Sequence, residues 1–349
     1  MILDVLVLRD LTSHQTSHQT SHTEGSFRLY LLFDFHDNLR PQNSSIATLQ
    51  KTYHYIMVAN FNIIRRLGKG GFSEVNLIQC QHTKQKYALK KVDLTDLDTE
   101  TIKQLNEEAS LLEKIEDTRF IIQLFSYKIT TNFALLFLEP CLCGDLWTLM
   151  QTNGPLPEQD AKFYVGCVIE GLEHLQKLQI LFRDLKPENM LLGQDGYVKI
   201  ADFGMSKTLA AGEKTNTLVG TAEYLAPEML TSKDGYDDRA TLWSLGILLF
   251  ELLTGSPPFT SNNRSILFSK IAVGFKGFSF PPQLSSTAVE IVQMLCRIDP
   301  KRRSSLQMIR RFMWFSGFSW EDLRAKVLPA PWLPELTEKT MDDTSLRGF

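Results

Sequence analysis

The sequence predicts an α+β fold in which β-strands precede helices. Strand-like apolar segments concentrate between Phe61 and Glu139, separated by glycine-rich or polar turns. From Asp160 onwards, segments with the helical spacing of apolar residues dominate. With 349 residues, of which 43% are hydrophobic and 22% charged, the chain is long enough for one large domain or two. The order of the segments therefore favours a small β-rich part followed by a larger helical part.

The composition argues against several classes of partner. The formal net charge of −3 gives no reason to expect nucleic acid or an anionic membrane as a partner. No apolar run approaches the ~18 residues that a membrane span requires. Five cysteines without the spacing of a disulfide framework are typical of reduced thiols, so we expect a cytoplasmic protein.

Residues 1–58 carry the weakest pattern, and we expect them to form a low-complexity, disordered N-terminal segment. Thr12–Thr23 repeats Ser-His-Gln-Thr, a low-complexity tract for which we expect disorder. His14, His18 and His22 recur every fourth residue and would form a metal-binding stripe on a helix. Because the intervening Ser and Thr residues favour turns, disorder is the preferred interpretation. We assign this low-complexity segment no function.

The first clear motif is a glycine-rich turn between two strands. The flanking strands are predicted at Phe61–Leu67 and Val75–Ile78, and the turn reads Gly68-Lys69-Gly70-Gly71-Phe72-Ser73-Glu74. Glycines let backbone N–H groups approach phosphate oxygens closely, although most glycine clusters are only turns. A strand on each side distinguishes this turn from a Rossmann turn, which leads into a helix.

The following segments are assigned from their periodicity. Strands are predicted at Tyr87–Lys90 and Phe133–Glu139, and helices at Thr99–Ile115, at Asp160–Leu178 and, as a pair, within Glu228–Gly255. The run Thr241–Leu253 is apolar nearly all round, which is typical of a fully buried core helix.

The stretch from Leu181 to Gly204 concentrates polar residues between apolar runs. Its polar residues are Arg183, Asp184, Lys186, Glu188, Asn189 and Asp202. Met190–Leu192 and Tyr197–Ile200 read as a hairpin, which would bring the preceding and the following loop side by side. Unpaired charge at such density is costly against an apolar wall. It suits a polyphosphate with magnesium, for which Asp and Asn supply oxygen ligands and Lys meets phosphate charge.

Residues from about 60 to 320 resemble the catalytic domain of the eukaryotic protein kinases. The matching motifs are the glycine-rich turn, Ala88-Leu89-Lys90, Phe182-Arg183-Asp184, Asp202-Phe203-Gly204, Ala226-Pro227-Glu228 and the distant Arg303. Three further segments look closest to the cGMP-dependent kinases of the AGC group: Cys141–Trp147, Glu251–Phe259 and Trp314–Leu323. The resemblance implies a two-lobed protein kinase fold that transfers the γ-phosphate of ATP to Ser or Thr.

The same resemblance implies a domain organisation. We expect a kinase domain at 59–320, with a small lobe at 59–139 and a large lobe at 140–320, and a short AGC-type tail at 321–349. Residues 1–58 are too few for the cyclic-nucleotide-binding domains of that group, so we expect none in this chain. A separate regulatory subunit is then an expected partner.

The resemblance also implies roles for individual residues. ATP would be bound by Leu67, Gly68, Lys69, Gly70, Gly71, Phe72, Ser73, Val75, Ala88, Lys90, Glu139 and Cys141. The catalytic set would be Asp184, Lys186, Asn189, Lys90 and Glu108, with Glu107 as the alternative to Glu108. Magnesium would be held by Asn189 and Asp202. Because Pro140 lacks an N–H, the donor to adenine would come from Cys141 or Leu142.

Substrate choice and activation follow from the same comparison. Asp145, Glu188 and Glu251 would read basic residues ahead of the acceptor, since Arg pairs with carboxylates in fork geometry. Lys186 and Thr221 favour Ser or Thr over Tyr as the acceptor. The activation-loop phosphorylation site would be Thr217, the target of an upstream activating kinase, with Thr215 as the nearby alternative.

A pseudokinase that binds nucleotide or serves as a scaffold is the alternative function. Such proteins usually lack a key residue, whereas Lys90, Asp184, Asn189 and Asp202 are all present here, so we favour an active, monomeric catalytic unit. One departure from the family is Thr241, where the family has an Asp that accepts hydrogen bonds from the catalytic loop. We therefore expect a loosened loop, and we expect Thr241→Asp to raise both activity and melting temperature.

Overall fold

A computed structural model describes the backbone of residues 3–7, 26–34 and 54–59, and residues 60–117 and 119–333 in full. The described residues form two compact units. The first comprises residues up to Leu97 together with Leu124–Pro140, and the second comprises Asp98–Gln123 and the residues from Cys141 onwards. The first is a sheet and the second is mainly helical, so the predicted α+β fold is confirmed.

The described strands of the first unit form one antiparallel sheet. They are β1 (Leu3–Val7), β2 (Ser26–Asp34), β3 (His54–Lys69), β4 (Ser73–Cys80), β5 (Lys86–Asp93), β6 (Leu124–Ile129) and β7 (Phe133–Leu138). Their order in the sheet is β1-β2-β3-β4-β5-β7-β6. The core on one face consists of Phe61, Ile78, Cys80, Leu89, Leu135 and Phe137. The strands predicted from Phe61 to Glu139 are therefore confirmed.

Two strands lie within residues 1–58, for which the sequence predicts disorder. Leu3–Val7 pairs with β2, and β2 pairs with β3, both antiparallel. These runs are apolar, and pairing in a sheet satisfies their backbone N–H and C=O groups. The prediction of disorder derived from the neighbouring repeat, and that tract, Thr12–Thr23, lies outside the described residues, as do residues 334–349 of the tail.

Helices dominate the second unit. They are α1 (Thr99–Glu113), α2 (Leu146–Asn153), α3 (Glu158–Lys177), α4 (Pro227–Thr231), α5 (Arg239–Thr254), α6 (Arg264–Val273), α7 (Ser286–Leu295), α8 (Leu306–Arg310) and α9 (Trp320–Arg324). The predicted helices begin and end within about two residues of α1, α3 and α5, a scatter usual for helix ends. Although α1 falls within the predicted small lobe, it packs against a short strand of the second unit and clusters with it.

Four short strands complete the second unit. They are β8 (Ile180–Leu181), β9 (Met190–Leu192), β10 (Val198–Ile200) and β11 (Lys207–Thr208). β9 and β10 pair antiparallel with Ile200 opposite Met190, so the hairpin predicted from the sequence is confirmed. Both strands are buried. In the part of the chain that the structure describes, no helix has the length and apolarity needed to cross a bilayer.

The helix α5 is the centre of the second unit. Every residue from Ala240 to Leu253 is buried, as the apolar run predicts. The helix ends at Gly255, whose φ of 83° lies in the left-handed region that glycine adopts without strain. Next to its start, Arg303 forms two bonds with Glu228, of 2.5 and 2.6 Å, and donates to the Arg239 carbonyl at 2.7 Å. This buried pair, expected from the sequence, ties α4 to α5.

Thr241 supports the loop that follows β8 in a way that the sequence does not predict. Its buried hydroxyl donates a hydrogen bond of 2.9 Å to the carbonyl of Phe182, the residue before Arg183 and Asp184. We expected an acceptor at this position because the family has a carboxylate. The hydroxyl instead acts as a donor, a role that an ionised carboxylate cannot take.

Because Thr241 is the donor in this hydrogen bond, the expected effect of Thr241→Asp changes. A carboxylate would face the Phe182 carbonyl oxygen, so we now expect both Thr241→Asp and Thr241→Val to lower the free energy of unfolding by about 1–3 kcal/mol. Thr241→Ser keeps the donor and should stay close to the parent. Urea unfolding of the three variants measures the difference. A more stable Asp variant would mean that the carboxylate turns towards backbone N–H groups, as the family pattern suggests.

Candidate active site

Asp184 lies at the centre of a buried hydrogen-bond network. Its Oδ1 accepts from the backbone N–H of Thr221 at 2.9 Å and from the Thr221 hydroxyl at 2.7 Å. Its Oδ2 lies 2.9 Å from the ammonium of Lys186 and accepts from the amide of Asn189 at 3.0 Å. The structure thus brings together three of the residues that the sequence assigns to catalysis, and it adds Thr221.

The network keeps the Asp184 carboxylate ionised. Burial by itself would raise the pKa of Asp184. Hydrogen bonds from Thr221 and Lys186, with the positive charge of Lys186, outweigh burial, so the pKa lies below its usual value. Lys186 also donates to the Thr221 hydroxyl at 3.0 Å. A cation and an ionised carboxylate therefore lie side by side, oriented by a residue of the segment that follows β11.

The two proposed metal ligands both lie at the open end of the β9–β10 hairpin, Asn189 just before β9 and Asp202 two residues after β10. The amide nitrogen of Asn189 donates to both the carbonyl and the carboxylate of Asp184, which directs the amide oxygen away from that residue. The backbone N–H of Ala201 bonds to the Asn189 carbonyl at 2.9 Å, so the chain just before Asp202 lies beside Asn189. Asp202 is exposed and has a left-handed φ of 62°. An amide oxygen and a carboxylate suit a hard divalent cation.

The two residues that follow Asp202 pack against neighbouring elements of the second unit. Phe203 is buried against Phe182, with ring centroids 5.2 Å apart in an edge-to-face arrangement. A Cβ at Gly204 would lie 3.6 Å from Glu108 Oε2, which places this carboxylate beside the loop. Glu108 is buried, whereas Glu107 is exposed and 3.9 Å from Lys103. Burial therefore favours Glu108 over Glu107 as the functional glutamate of α1.

In the first unit, the proposed ATP-binding residues follow three adjacent strands. Leu67, Gly68 and Lys69 end β3, Ser73 and Val75 begin β4, and Ala88 and Lys90 lie on β5. Val75 is opposite Lys90, and Ala88 is opposite Leu138. The turn between β3 and β4 contains Gly70, Gly71 and Phe72, and it is closed by a 2.7 Å bond from the Gly70 N–H to the Ser73 carbonyl. The two remaining residues of the set, Glu139 and Cys141, follow β7, and Cys141 is buried in the second unit.

Three carboxylates assigned to substrate recognition interact within the second unit. Asp145 is buried and caps α2, accepting from the Thr148 N–H at 2.7 Å. Glu251 is buried on α5 and accepts a short hydrogen bond from the Tyr224 hydroxyl. Glu188 is exposed, and its negative charge raises the pKa of both other carboxyls. Glu188 therefore lies close enough to Asp145 and to Glu251 to repel both.

The pKa of Glu251 is raised to about 7. Burial is the largest cause, the Tyr224 hydrogen bond opposes it, and the charges of Glu188 and Glu223 add to it. Burial also raises the pKa of Asp145, against the bond from Thr148. This site therefore holds acidic groups that a positive charge would stabilise in their ionised form.

The two candidate phosphorylation sites differ in accessibility. Thr217 is exposed, whereas Thr215 is buried, pairs with Tyr236 through its backbone and lies 3.4 Å from the Lys207 ammonium. The Tyr236 hydroxyl donates to the Thr217 carbonyl at 2.7 Å and lies 3.5 Å from an Arg183 nitrogen. Lys207 therefore contacts Thr215 directly, and Arg183 is joined to the Thr217 carbonyl through Tyr236.

Sequence reasoning missed two residues that this geometry uses: Tyr224 bonds to Glu251, and Tyr236 joins Arg183 to the Thr217 segment. Thr221, which the sequence linked only to the choice of acceptor, also orients Asp184. The position of Thr221 just after a glycine in the activation segment was a usable signal. The roles of the two tyrosines depend on contacts across 27 and 19 residues, which no local pattern reveals.

Comparisons with known proteins agree with this geometry. A family model for the protein kinase domain matches residues 61–315. The chain is 37% identical over 284 residues to cGMP-dependent protein kinase 2 of Rattus norvegicus, covering 80% of this chain and 37% of that protein. It is 38% identical over 299 residues to cGMP-dependent protein kinase egl-4 of Caenorhabditis briggsae, covering 83% of this chain and 40% of that protein.

A third relative, cGMP-dependent protein kinase isozyme 1 of Drosophila melanogaster, is 33% identical over 300 residues. That alignment covers 84% of this chain and 39% of the relative. The chain thus spans less than half the length of these relatives. The match of the family model extends over most of the chain and includes Asp184, Asn189 and Asp202. The chain therefore belongs to the protein kinase family.

Proposed function

We propose that this chain is an active serine/threonine protein kinase that transfers the γ-phosphate of ATP to proteins with basic residues ahead of the acceptor. The observation that carries the proposal is the Asp184 network, in which an ionised carboxylate, Lys186 and Thr221 meet in one place. Transfer through a loose transition state requires positioning and charge stabilisation rather than covalent chemistry. The proposed domain is residues 59–320, followed by the tail at 321–349.

Each residue of the network has a distinct role in this mechanism. Asp184 accepts a hydrogen bond from the acceptor hydroxyl and orients its oxygen towards the γ-phosphorus. Lys186 stabilises the charge of the transferring phosphoryl group, and Thr221 holds both side chains in place. Asn189 and Asp202 would hold magnesium. A bound magnesium ion would neutralise part of the negative charge of the phosphates. Lys90 would contact the phosphates, and Glu108 would orient Lys90.

The direct test is magnesium-dependent transfer from labelled ATP to a peptide library. We expect phosphoserine or phosphothreonine in peptides with Arg or Lys a few residues before the acceptor. If nucleotide binds but no peptide or protein is labelled, the chain is a binding module of the pseudokinase kind.

Replacing the central carboxylate tests the mechanism. We expect Asp184→Asn to lower kcat by about 10²–10⁴-fold, since the acceptor loses its general base or orienting group. Binding of ATP, measured by fluorescence with a nucleotide analogue, should change little because Asp184 acts on the acceptor. Asp202→Asn is the matched variant, and it should weaken metal and nucleotide binding together. Transfer at the parent rate by Asp184→Asn would refute the role.

The preference for basic substrates is supported by the repulsion that Glu188 exerts on Asp145 and on Glu251. Its negative charge makes ionisation of these two buried carboxyls less favourable. A guanidinium between them would remove that cost and form charge-assisted hydrogen bonds. The fork of donors on Arg matches two carboxylate oxygens better than the point charge of Lys.

This proposal predicts a pH dependence of substrate binding. Since the pKa of Glu251 is about 7, its charge develops as the pH rises from about 6 to about 8. The KM for an Arg-containing peptide should fall over this range by up to about tenfold, the loss typical of one charge-assisted bond. Glu251→Gln should abolish the dependence, and a peptide with norleucine in place of Arg should not show it. An unchanged profile in Glu251→Gln would exclude this residue as the cause.

We also propose that phosphorylation of Thr217 by an upstream kinase activates the chain. The support is its exposure and its connection to Arg183 through Tyr236. A phosphate adds about −2 charge, which Arg183 and Lys207 can pair to order the segment. A separate regulatory subunit remains a proposed partner, and the chain would act as a monomeric catalytic unit. Five buried free thiols support a reducing compartment such as the cytoplasm.

Two threonine variants test the activation site. We expect Thr217→Ala to lower kcat by at least about tenfold after treatment with an activating kinase, because one or more charge-assisted bonds are lost. Thr215→Val is the control for the site of modification, since its hydroxyl is buried and should not be phosphorylated. Mass spectrometry should find the added phosphate in the parent and in Thr215→Val. A phosphate that persists in Thr217→Ala, with full activity, would contradict this assignment.

A further inference from the structure

The turn that joins β9 to β10 is covered by the segment after α9. We call this segment, Lys326–Leu333, the strap. It begins where Lys326 adopts a left-handed φ of 57°, which turns the chain sharply. The N–H of Val327 bonds back to the Asp322 carbonyl at 2.9 Å and fixes this turn to the end of α9. The strap therefore starts from a defined point and direction.

Three side-chain contacts join the strap to the turn. The Lys326 ammonium is 2.7 Å from Asp195 Oδ2 and 5.2 Å from the centroid of the Tyr197 ring. The Tyr197 hydroxyl donates to the Leu328 carbonyl at 2.6 Å. Asp195 also accepts from the Tyr197 N–H at 3.1 Å, so the partners of the strap are held by the turn itself.

The backbone of the turn also meets the strap closely. Gly196 has a left-handed φ of 74°. A Cβ at Gly196 would lie 2.5 Å from the Trp332 carbonyl oxygen and 2.6 Å from the Ala330 Cβ. No L side chain fits at those distances, so the close approach of the strap requires glycine as much as the turn conformation does.

The hairpin needs such support because it is short. Each strand has three residues, and an isolated two-stranded hairpin is marginally stable in water. Asn189 immediately precedes β9, and Asp202 follows β10 by two residues. Opening of the hairpin would therefore change the separation of the two proposed metal ligands.

We propose that the strap is a positioning element for the metal site. By holding the turn Asp195-Gly196-Tyr197, it keeps Asn189 and Asp202 at the separation that a nucleotide-bound divalent cation requires. Lys326 and Tyr197 are positioning residues, since they act through the hairpin. The role of the two ligands rests on the proposed function, whereas the clamping of the hairpin does not.

A double variant of the full chain, Lys326→Met with Tyr197→Phe, tests the clamp. The matched control is Lys301→Met with Tyr164→Phe. Lys301 is exposed, and the buried Tyr164 hydroxyl has no hydrogen-bond partner among the described residues. Amide hydrogen exchange over residues 190–200 should become about tenfold faster in the first pair, since an ion pair and a hydrogen bond are lost, and should not become faster in the control. Unchanged exchange in the first pair would overturn the proposal.

Metal affinity is measured separately. We titrate Mn²⁺ in the presence of a non-hydrolysable ATP analogue and follow free Mn²⁺ by electron paramagnetic resonance. The double variant should bind Mn²⁺ about three- to tenfold more weakly than the parent and the control, in line with effects of indirect support on metal sites. Binding of the analogue without metal should be unchanged. If amide exchange becomes faster in the double variant but its Mn²⁺ affinity equals that of the parent, the strap supports only the turn. That outcome would reject its role at the metal site.

The two measurements separate this inference from the proposed function. If the parent binds Mn²⁺ with the analogue and both shifts occur, but no peptide is phosphorylated, the strap inference stands and the proposed kinase activity fails. If the parent with the analogue binds no Mn²⁺, the role of the strap at a metal site fails together with the metal assignment.

Discussion

Burial of the Asp184 carboxylate is the constraint on which the arrangement of the second unit depends. A carboxylate removed from water is stable in its ionised form only when donors surround it. Here the donors come from two segments of the chain: Lys186 and Asn189 from the loop that also carries Asp184, and Thr221 from the segment after β11. The loop after β8 and the segment after β11 must therefore reach one point together. A shift of the segment after β11 would remove both Thr221 donors from the buried charge. The electrostatic requirement therefore also fixes the geometry that phosphoryl transfer needs.

The helix α5 supports the Asp184 network, because segments that lead to the network pack against it. This packing explains why α5 is buried on all sides. Thr241 bonds to Phe182 ahead of the loop, and the Ser244 hydroxyl donates to the Tyr224 carbonyl at 2.8 Å. Arg303 joins the start of the helix to Glu228. Thr241 and Ser244 thus hold the segments that contain Phe182 and Tyr224, and Arg303 holds α4. The segments held by Thr241 and Ser244 lead to Asp184 and Thr221. A rigid core helix therefore keeps the Asp184 carboxylate and its donors in fixed relative positions.

Local patterns in the sequence predicted most of the fold but only part of the site. Strand and helix periodicity located β3 to β5, α1, α3 and α5, and the turn signal at Gln194–Gly196 located the β9–β10 hairpin. The donor role of Thr241 was not predicted, because a Thr hydroxyl can donate or accept and the sequence does not reveal its neighbour. The strands β1 and β2 were missed because the adjacent repeat dominated the composition. Contacts distant in sequence, such as Tyr224 with Glu251, required the folded chain.

The acidic residues of the second unit show how a structural role can be separated from a binding role. Asp145 bonds to the first turn of α2, so its burial is explained by capping, whatever else it binds. Glu251 bonds to Tyr224, yet it stays partly neutral near pH 7 because burial and its acidic neighbours together outweigh that bond. A glutamine at this position could keep a hydrogen bond to Tyr224 without the electrostatic cost. A carboxylate that the fold destabilises and does not require supports the proposal that a cation binds here from outside, and an arginine side chain has the matching charge and geometry.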